Sequence, residues 1–77
     1  MDWRDHIVLD SGICHGRATF RGTRVLVSTV LAYLAAGRTE AEVREDFPRL
    51  GPVAIRAALA HAADVVNGER VIAVAPR

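Results

Sequence analysis

Lysine is absent: all ten basic residues are arginine. Every cation is therefore a planar, forked donor suited to phosphate or carboxylate. Cysteine occurs once, as Cys14, so no internal disulfide can staple the fold, and one free thiol suits a reducing compartment. Bulky side chains are scarce. Trp3, Phe20, Tyr33 and Phe47 are the only aromatics, and much of the 51% hydrophobic content is alanine. A chain of 77 residues so equipped makes one domain with a modest core, and association is the usual way to complete such a core. At least a homodimer is expected. No apolar run approaches the roughly 20 residues that span a bilayer. The charged start Met1-Asp2-Trp3-Arg4-Asp5 lacks the features of a secretion signal. A soluble, cytoplasmic protein is expected.

The net charge of +1 argues for neither nucleic acid nor membrane. Its distribution is more informative. Residues 1–38 carry five Arg against three acids, 39–66 carry three Arg against five acids, and 67–77 carry two Arg against one. The cations thus lean toward the N-terminal half and the acids toward the middle.

Thr39 to Val66 is the best-patterned stretch. Thr39-Glu40-Ala41-Glu42 has the capping-box form, with a Thr hydroxyl for the Glu42 N–H and a Glu42 carboxylate for the Thr39 N–H. Val43 and Phe47 follow on one face, and Pro48 ends the helix by pushing Phe47 out of α geometry. Gly51-Pro52 marks the start of the next helix. Ile55, Ala58, Leu59, Ala62 and Val66 trace its buried stripe, and Asn67-Gly68 reads as its stop. Helix, short turn, helix is the pattern of a helix-turn-helix. An earlier helix is expected from Ser28, as N-cap, to Gly37 as left-handed C′ residue, with Val27, Val30, Leu31 and Leu34 on its inner face.

The flanks read as extended. Ile7-Val8-Leu9 is a short strand closed by Asp10-Ser11-Gly12. Residues 18–20 and 24–26 are extended pieces around a turn at Gly22. Alternation places Arg17, Thr19 and Arg21 on one face and Ala18 and Phe20 on the other. Residues 1–6 read as loose, and Glu69 to Val74 as a final strand. The expectation is a single mostly α domain over 1–77. It has a β arm at 7–27, a three-helix helix-turn-helix core at 28–66 and a C-terminal strand at 69–74.

Gly16-Arg17-Ala18-Thr19-Phe20-Arg21-Gly22-Thr23-Arg24-Val25-Leu26-Val27 closely resembles the signature of a small prokaryotic family, domain of unknown function 433. The likeness continues through Leu34-Ala35-Ala36-Gly37, Asp46-Phe47-Pro48-Arg49-Leu50 and Ile55-Arg56-Ala57-Ala58-Leu59. Ala18 stands where the family usually has Pro, and Gly51 where a Ser or Thr cap is common. The resemblance implies an antitoxin-like protein of a type II toxin–antitoxin pair. Such a protein dimerises, neutralises a nuclease-type toxin with a PIN-like fold, and binds its own promoter. A stand-alone helix-turn-helix regulator and a protein–protein adaptor without a nucleic-acid role are the alternatives.

The candidate residues fall into three groups. Arg17, Arg21 and Arg24, with Thr23 in the turn between them, form a cationic arm for phosphate or for an acidic protein site. A PIN-like toxin has a metal-binding carboxylate cluster into which such an Arg could enter; the competing role for Arg24 is an internal salt bridge. Arg38, Arg44, Arg49, Arg56 and Asn67 are the candidates for DNA contact. On the outer face of the third helix (Val53, Arg56, Ala57, Ala60, Asp64 and Asn67) only Arg56 and Asn67 are good base readers. That alanine-rich face suits a protein interface better, so Phe20, Val53, Ala57 and Ala60 are the candidate interface residues. Cys14, His15, His6 and Asp10 match no closed zinc pattern, and neither a metal nor a cofactor is expected. No nucleophile, base and orienting group are arranged for covalent catalysis, so an enzyme is not expected.

Overall fold

The computed structural model describes residues 1–73, with side chains described to residue 68. Three helices carry the fold: α1 (Val27–Ala35), α2 (Glu40–Asp46) and α3 (Ala54–Ala73). A two-stranded antiparallel sheet, β1 (Ile7–Val8) with β2 (Thr19–Phe20), lies before them. The mostly α fold with short flanking strands is as expected.

The sheet explains why simple alternation fails in the arm. Thr19 pairs with Val8 on one side and bridges to Leu26 on the other. It is therefore interior to a three-stretch patch and buried, rather than sharing an outer face with Arg17 and Arg21. Phe20, opposite Ile7, is only 2% exposed and belongs to the core. Leu9 lies beyond the strand and is exposed.

The Gly22 turn is built from its own residues. Gly22 takes the left-handed φ of +79° that a side chain disfavours. The Thr23 N–H donates to the Phe20 carbonyl at 3.0 Å. The Thr23 hydroxyl donates to the same carbonyl at 2.8 Å and accepts from the Val25 N–H at 3.0 Å.

Ser28 is not the N-cap of α1. That helix starts at Val27, with Leu26 in the cap position and no side-chain cap. The Val27 N–H is satisfied instead by the Ala18 carbonyl of the arm at 3.0 Å, so the sheet patch does the work of a capping side chain. The other end follows the sequence. Gly37 is left-handed at φ +93°. Arg38 N–H donates to the Tyr33 carbonyl and Gly37 N–H to the Leu34 carbonyl, which is the Schellman pairing.

The capping box of α2 is complete, with Thr39 N–H to Glu42 Oε1 at 2.8 Å and Glu42 N–H to Thr39 Oγ1 at 3.1 Å. These bonds hold the Glu42 carboxyl below its ordinary range, chiefly through the Thr39 backbone N–H. The helix ends at Asp46, just before Phe47-Pro48. Residues 52–53 form a turn, and α3 begins at Ala54, later than the Gly-Pro pair suggested.

Ile7, Phe20, Val27, Val30, Val43, Leu50, Ala54, Ile55, Ala57 and Ala58 form one core cluster. Fully burying an aliphatic side chain such as Ile55 or Val30 contributes about 1.5–3 kcal/mol. The inner face of α3 is therefore 54, 55, 57 and 58, rather than a stripe through Leu59 and Val66, which are 48% and 64% exposed.

Two further expectations are corrected. Residues 1–6 are not loose. Trp3–Asp5 is a 3-10 turn capped by Asp2, and the Trp3 indole Nε1 donates to Asp64 Oδ2 of α3 at 2.6 Å. The Trp3 ring also packs against His61 at a tilt of 59°, with centroids 4.4 Å apart. Nor do residues 69–73 form a strand, because α3 continues to Ala73. Gly68 does not take a left-handed φ, so Asn67-Gly68 passes through as helix. Residue 74, the end of the expected strand, lies outside the described residues.

Candidate functional site

Two of the arm's three arginines come together with a residue from the α2–α3 connection. Arg24 leaves the Gly22–Thr23 turn and lines a cavity of about 390 Å³ with Ile13, Gly22, Thr23 and Arg49. Arg49 also lines a second cavity of about 360 Å³, between Arg21 and His6 on one side and Gly51 to Ala54 on the other. Arg49 thus stands between two hollows, each bearing a second guanidinium. Its position is fixed by its neighbour Leu50, which is buried in the core and donates its N–H to the Phe47 carbonyl at 3.0 Å.

The electrostatics of this face are one-sided. The Arg21 guanidinium donates to the Asp5 and Arg4 carbonyls at 2.9 and 3.1 Å, which pins the N-terminal turn to the arm without neutralising the charge. Arg24 and Arg49 are exposed, and neither side chain has an ion-pair or hydrogen-bond partner among the described residues. Among the described residues no acid lines the first cavity, and Asp5 is the one acid that lines the second. Unpaired guanidiniums around a concavity attract an anion, in a manner that salt screens.

Arg17 lies apart from these. Its Nη2 is 3.5 Å from Ser28 Oγ, and it lines an apolar groove of about 250 Å³ between α1 and α3, with Leu31, Ala62, Val65 and Val66. His61 lines the same groove, and its buried Nδ1 has no partner among the described residues. The arm is therefore split. Arg21 and Arg24 serve the cationic face, Arg17 edges an apolar groove, and the Thr23 hydroxyl is engaged in holding the turn.

The other candidates are dispersed. Arg38 pairs with Asp46 at 3.1 Å and lies over the Tyr33 ring. Arg44, Arg56 and Asn67 are exposed and line neither cationic cavity. Asp64 accepts from Trp3, so it is held toward the N-terminal turn rather than free on an outer face. Among the interface candidates, Val53 is exposed and Ala60 partly so. Phe20 and Ala57, 2% and 0% exposed, are core residues that no partner can reach. Among the described residues no group of three His, Cys, Asp or Glu is placed to hold a metal, and no helix is long and apolar enough to cross a membrane.

Sequence reasoning missed the joining of Arg24 to Arg49. The only sequence signal was that each arginine adjoins a fixed point, the Gly-Thr turn and the Phe-Pro-Arg-Leu break.

No curated protein and no solved structure matches the chain. A family profile described as protein of unknown function (DUF433) matches residues 7–62, a span that contains Arg17, Arg21, Arg24 and Arg49. The chain belongs to the DUF433 family.

Proposed function

We propose that this protein is an antitoxin-like binding module of a type II toxin–antitoxin pair, acting in the cytoplasm as a homodimer. Its task is to bind and neutralise a nuclease-type toxin rather than to catalyse a reaction. One observation carries the reading: Arg24 and Arg49 line one cavity, and among the described residues no carboxylate lines it or pairs with either. A nuclease centre built of metal-binding carboxylates has the complementary charge, and a guanidinium fork pairs with a carboxylate in two parallel bonds. Exposed apolar side chains on α3, Leu59 and Val66 foremost, supply surface for a second copy of the chain.

The test is co-expression with a nuclease-type toxin encoded beside this gene. The wild-type chain should restore growth, and Arg24→Ala with Arg49→Ala should fail to do so while still folding. Full protection by that double variant would reject the reading.

A second reading is DNA binding and repression of the protein's own operon. It is favoured by the helix-turn-helix order of α2 and α3 and by the exposed Arg44 and Arg56, which have no ion-pair partner among the described residues. With Ala57 buried and Asp64 engaged, α3 offers few base readers, so phosphate contacts would dominate that binding. A mobility shift on the upstream promoter at two salt concentrations tests it.

A further inference from the structure

We infer that the cavity between the Gly22–Arg24 turn and Arg49 is a binding site for a phosphoryl oxyanion. The inference rests on the donors of this cavity and goes beyond the antitoxin reading, whose test is relief of toxicity.

Four donor groups belong to residues that line it. Two are the guanidiniums of Arg24 and Arg49, which have no partner among the described residues. The other two are the backbone N–H groups of Gly22 and Arg24, which likewise find no acceptor among the described residues. The Thr23 N–H between them is already committed to the Phe20 carbonyl. Turns with outward N–H groups form concave anion sites of this kind.

The number and spread of donors exceed what one isolated carboxylate needs, and they suit a tetrahedral anion. A carboxylate is planar and is satisfied by one guanidinium fork. A tetrahedral phosphoryl group presents oxygens in several directions, so it can meet two guanidiniums from separate elements and a turn backbone together. The cavity, about 390 Å³, has room for such a group with its remaining hydration. The turn is also held in place. The Cys14 thiol lies 3.7 Å from the Arg24 carbonyl, and the Thr23 hydroxyl fastens both sides of the turn. At Gly22 a Cβ would meet nothing within 4 Å, so the space beside the turn is open.

The phosphoryl group has two possible sources, free phosphate and the backbone of a nucleic acid. Amide NMR of the whole protein distinguishes them. Inorganic phosphate is titrated at constant ionic strength, with chloride as control, and a short DNA duplex is titrated in parallel. Phosphate should give saturating shifts at the Gly22 and Arg24 amides that chloride does not reproduce. Arg24→Gln and Arg49→Gln should each weaken the apparent affinity about tenfold, the size expected for one charge-assisted bond. Arg4→Gln, whose guanidinium faces Asp2 and Trp3 and lines neither cavity, should leave it unchanged. Duplex that moves the same amides and is displaced by phosphate assigns the site to nucleic acid; phosphate shifts alone assign it to a small anion. Absence of saturating shifts with either ligand, equal shifts with chloride, or wild-type affinity in the Arg24→Gln/Arg49→Gln double variant would overturn the inference.

Discussion

Gly37-Arg38-Thr39 and Gly22-Thr23-Arg24 use the same three residue types at two turns, to different ends. Both glycines are left-handed, at φ +93° and +79°. Both threonines spend their hydroxyls on local backbone. The arginines diverge. Arg38 pairs with Asp46 and covers Tyr33, which in turn packs edge-on against Phe47 at 5.3 Å. Arg24 has no counter-ion among the described residues and shares a cavity with a second unpaired arginine. The cause is the placement of the acids. Glu40, Glu42, Glu45 and Asp46 all belong to α2, and of these Asp46 lies within reach of Arg38. The Gly22 turn has no such supply. One arginine is engaged within the fold, and the other has no side-chain partner among the described residues.

The sharpest way to break this contrast is to remove the cations on each side. Arg24→Ala with Arg49→Ala should cost about 3 kcal/mol in affinity for an acidic partner, two charge-assisted bonds at about 1.5 each, roughly a hundredfold in Kd. The thermal midpoint should stay level or rise, since two like charges are gone. Arg38→Ala should do the reverse. Its stability, measured by denaturant unfolding, should fall by about 0.5 kcal/mol, as for a half-exposed ion pair, and its partner affinity should hold.

Next come the glycines. Gly22→Ala and Gly37→Ala should each destabilise by about 1–2 kcal/mol, the strain of a side chain at left-handed φ. No atom crowds the added carbon at either site, so the loss is conformational and should be similar at both. Only the Gly22 variant should also lose anion binding.

The cap gives a smaller effect. Thr39→Ala should cost about 1 kcal/mol, read from the denaturation midpoint. A finer probe of the same box is pH. The folded Glu42 carboxyl is held below its ordinary range by the Thr39 N–H, so its stabilising effect is complete above the ordinary carboxylate value. It is lost as pH falls through the lowered value of the folded state. Glu42→Gln should remove that segment of the acid unfolding curve and leave the rest in place.

What could be read in the sequence was what is local. The capping box, the Gly37 stop, the Pro48 break and the Gly22 turn each depend on residues within about one helical turn of each other, and each is found where expected. What could not be read depends on pairs far apart in the chain. Trp3 meets Asp64, Val27 takes its cap from Ala18, and Arg24 faces Arg49. The phase of α3 failed for the same reason. That helix packs on both α1 and the N-terminal turn, so its inner face is wider than a single stripe and takes in Ala54 and Ala57. Past His61 the helix carries exposed Val65 and Val66, of which periodicity alone counts Val66 as core. Asn67-Gly68 failed because a stop signal acts only when the glycine turns left-handed, and here it does not.

Titration calorimetry with a purified nuclease-type toxin encoded beside this gene addresses the division of labour between the two turns without intermediaries. The wild-type chain and the Arg38→Ala variant should bind alike, and the Arg24→Ala/Arg49→Ala variant about a hundredfold more weakly. Equal binding by the double variant, or a loss confined to Arg38→Ala, would contradict the assignment of the unpaired arginines to a partner.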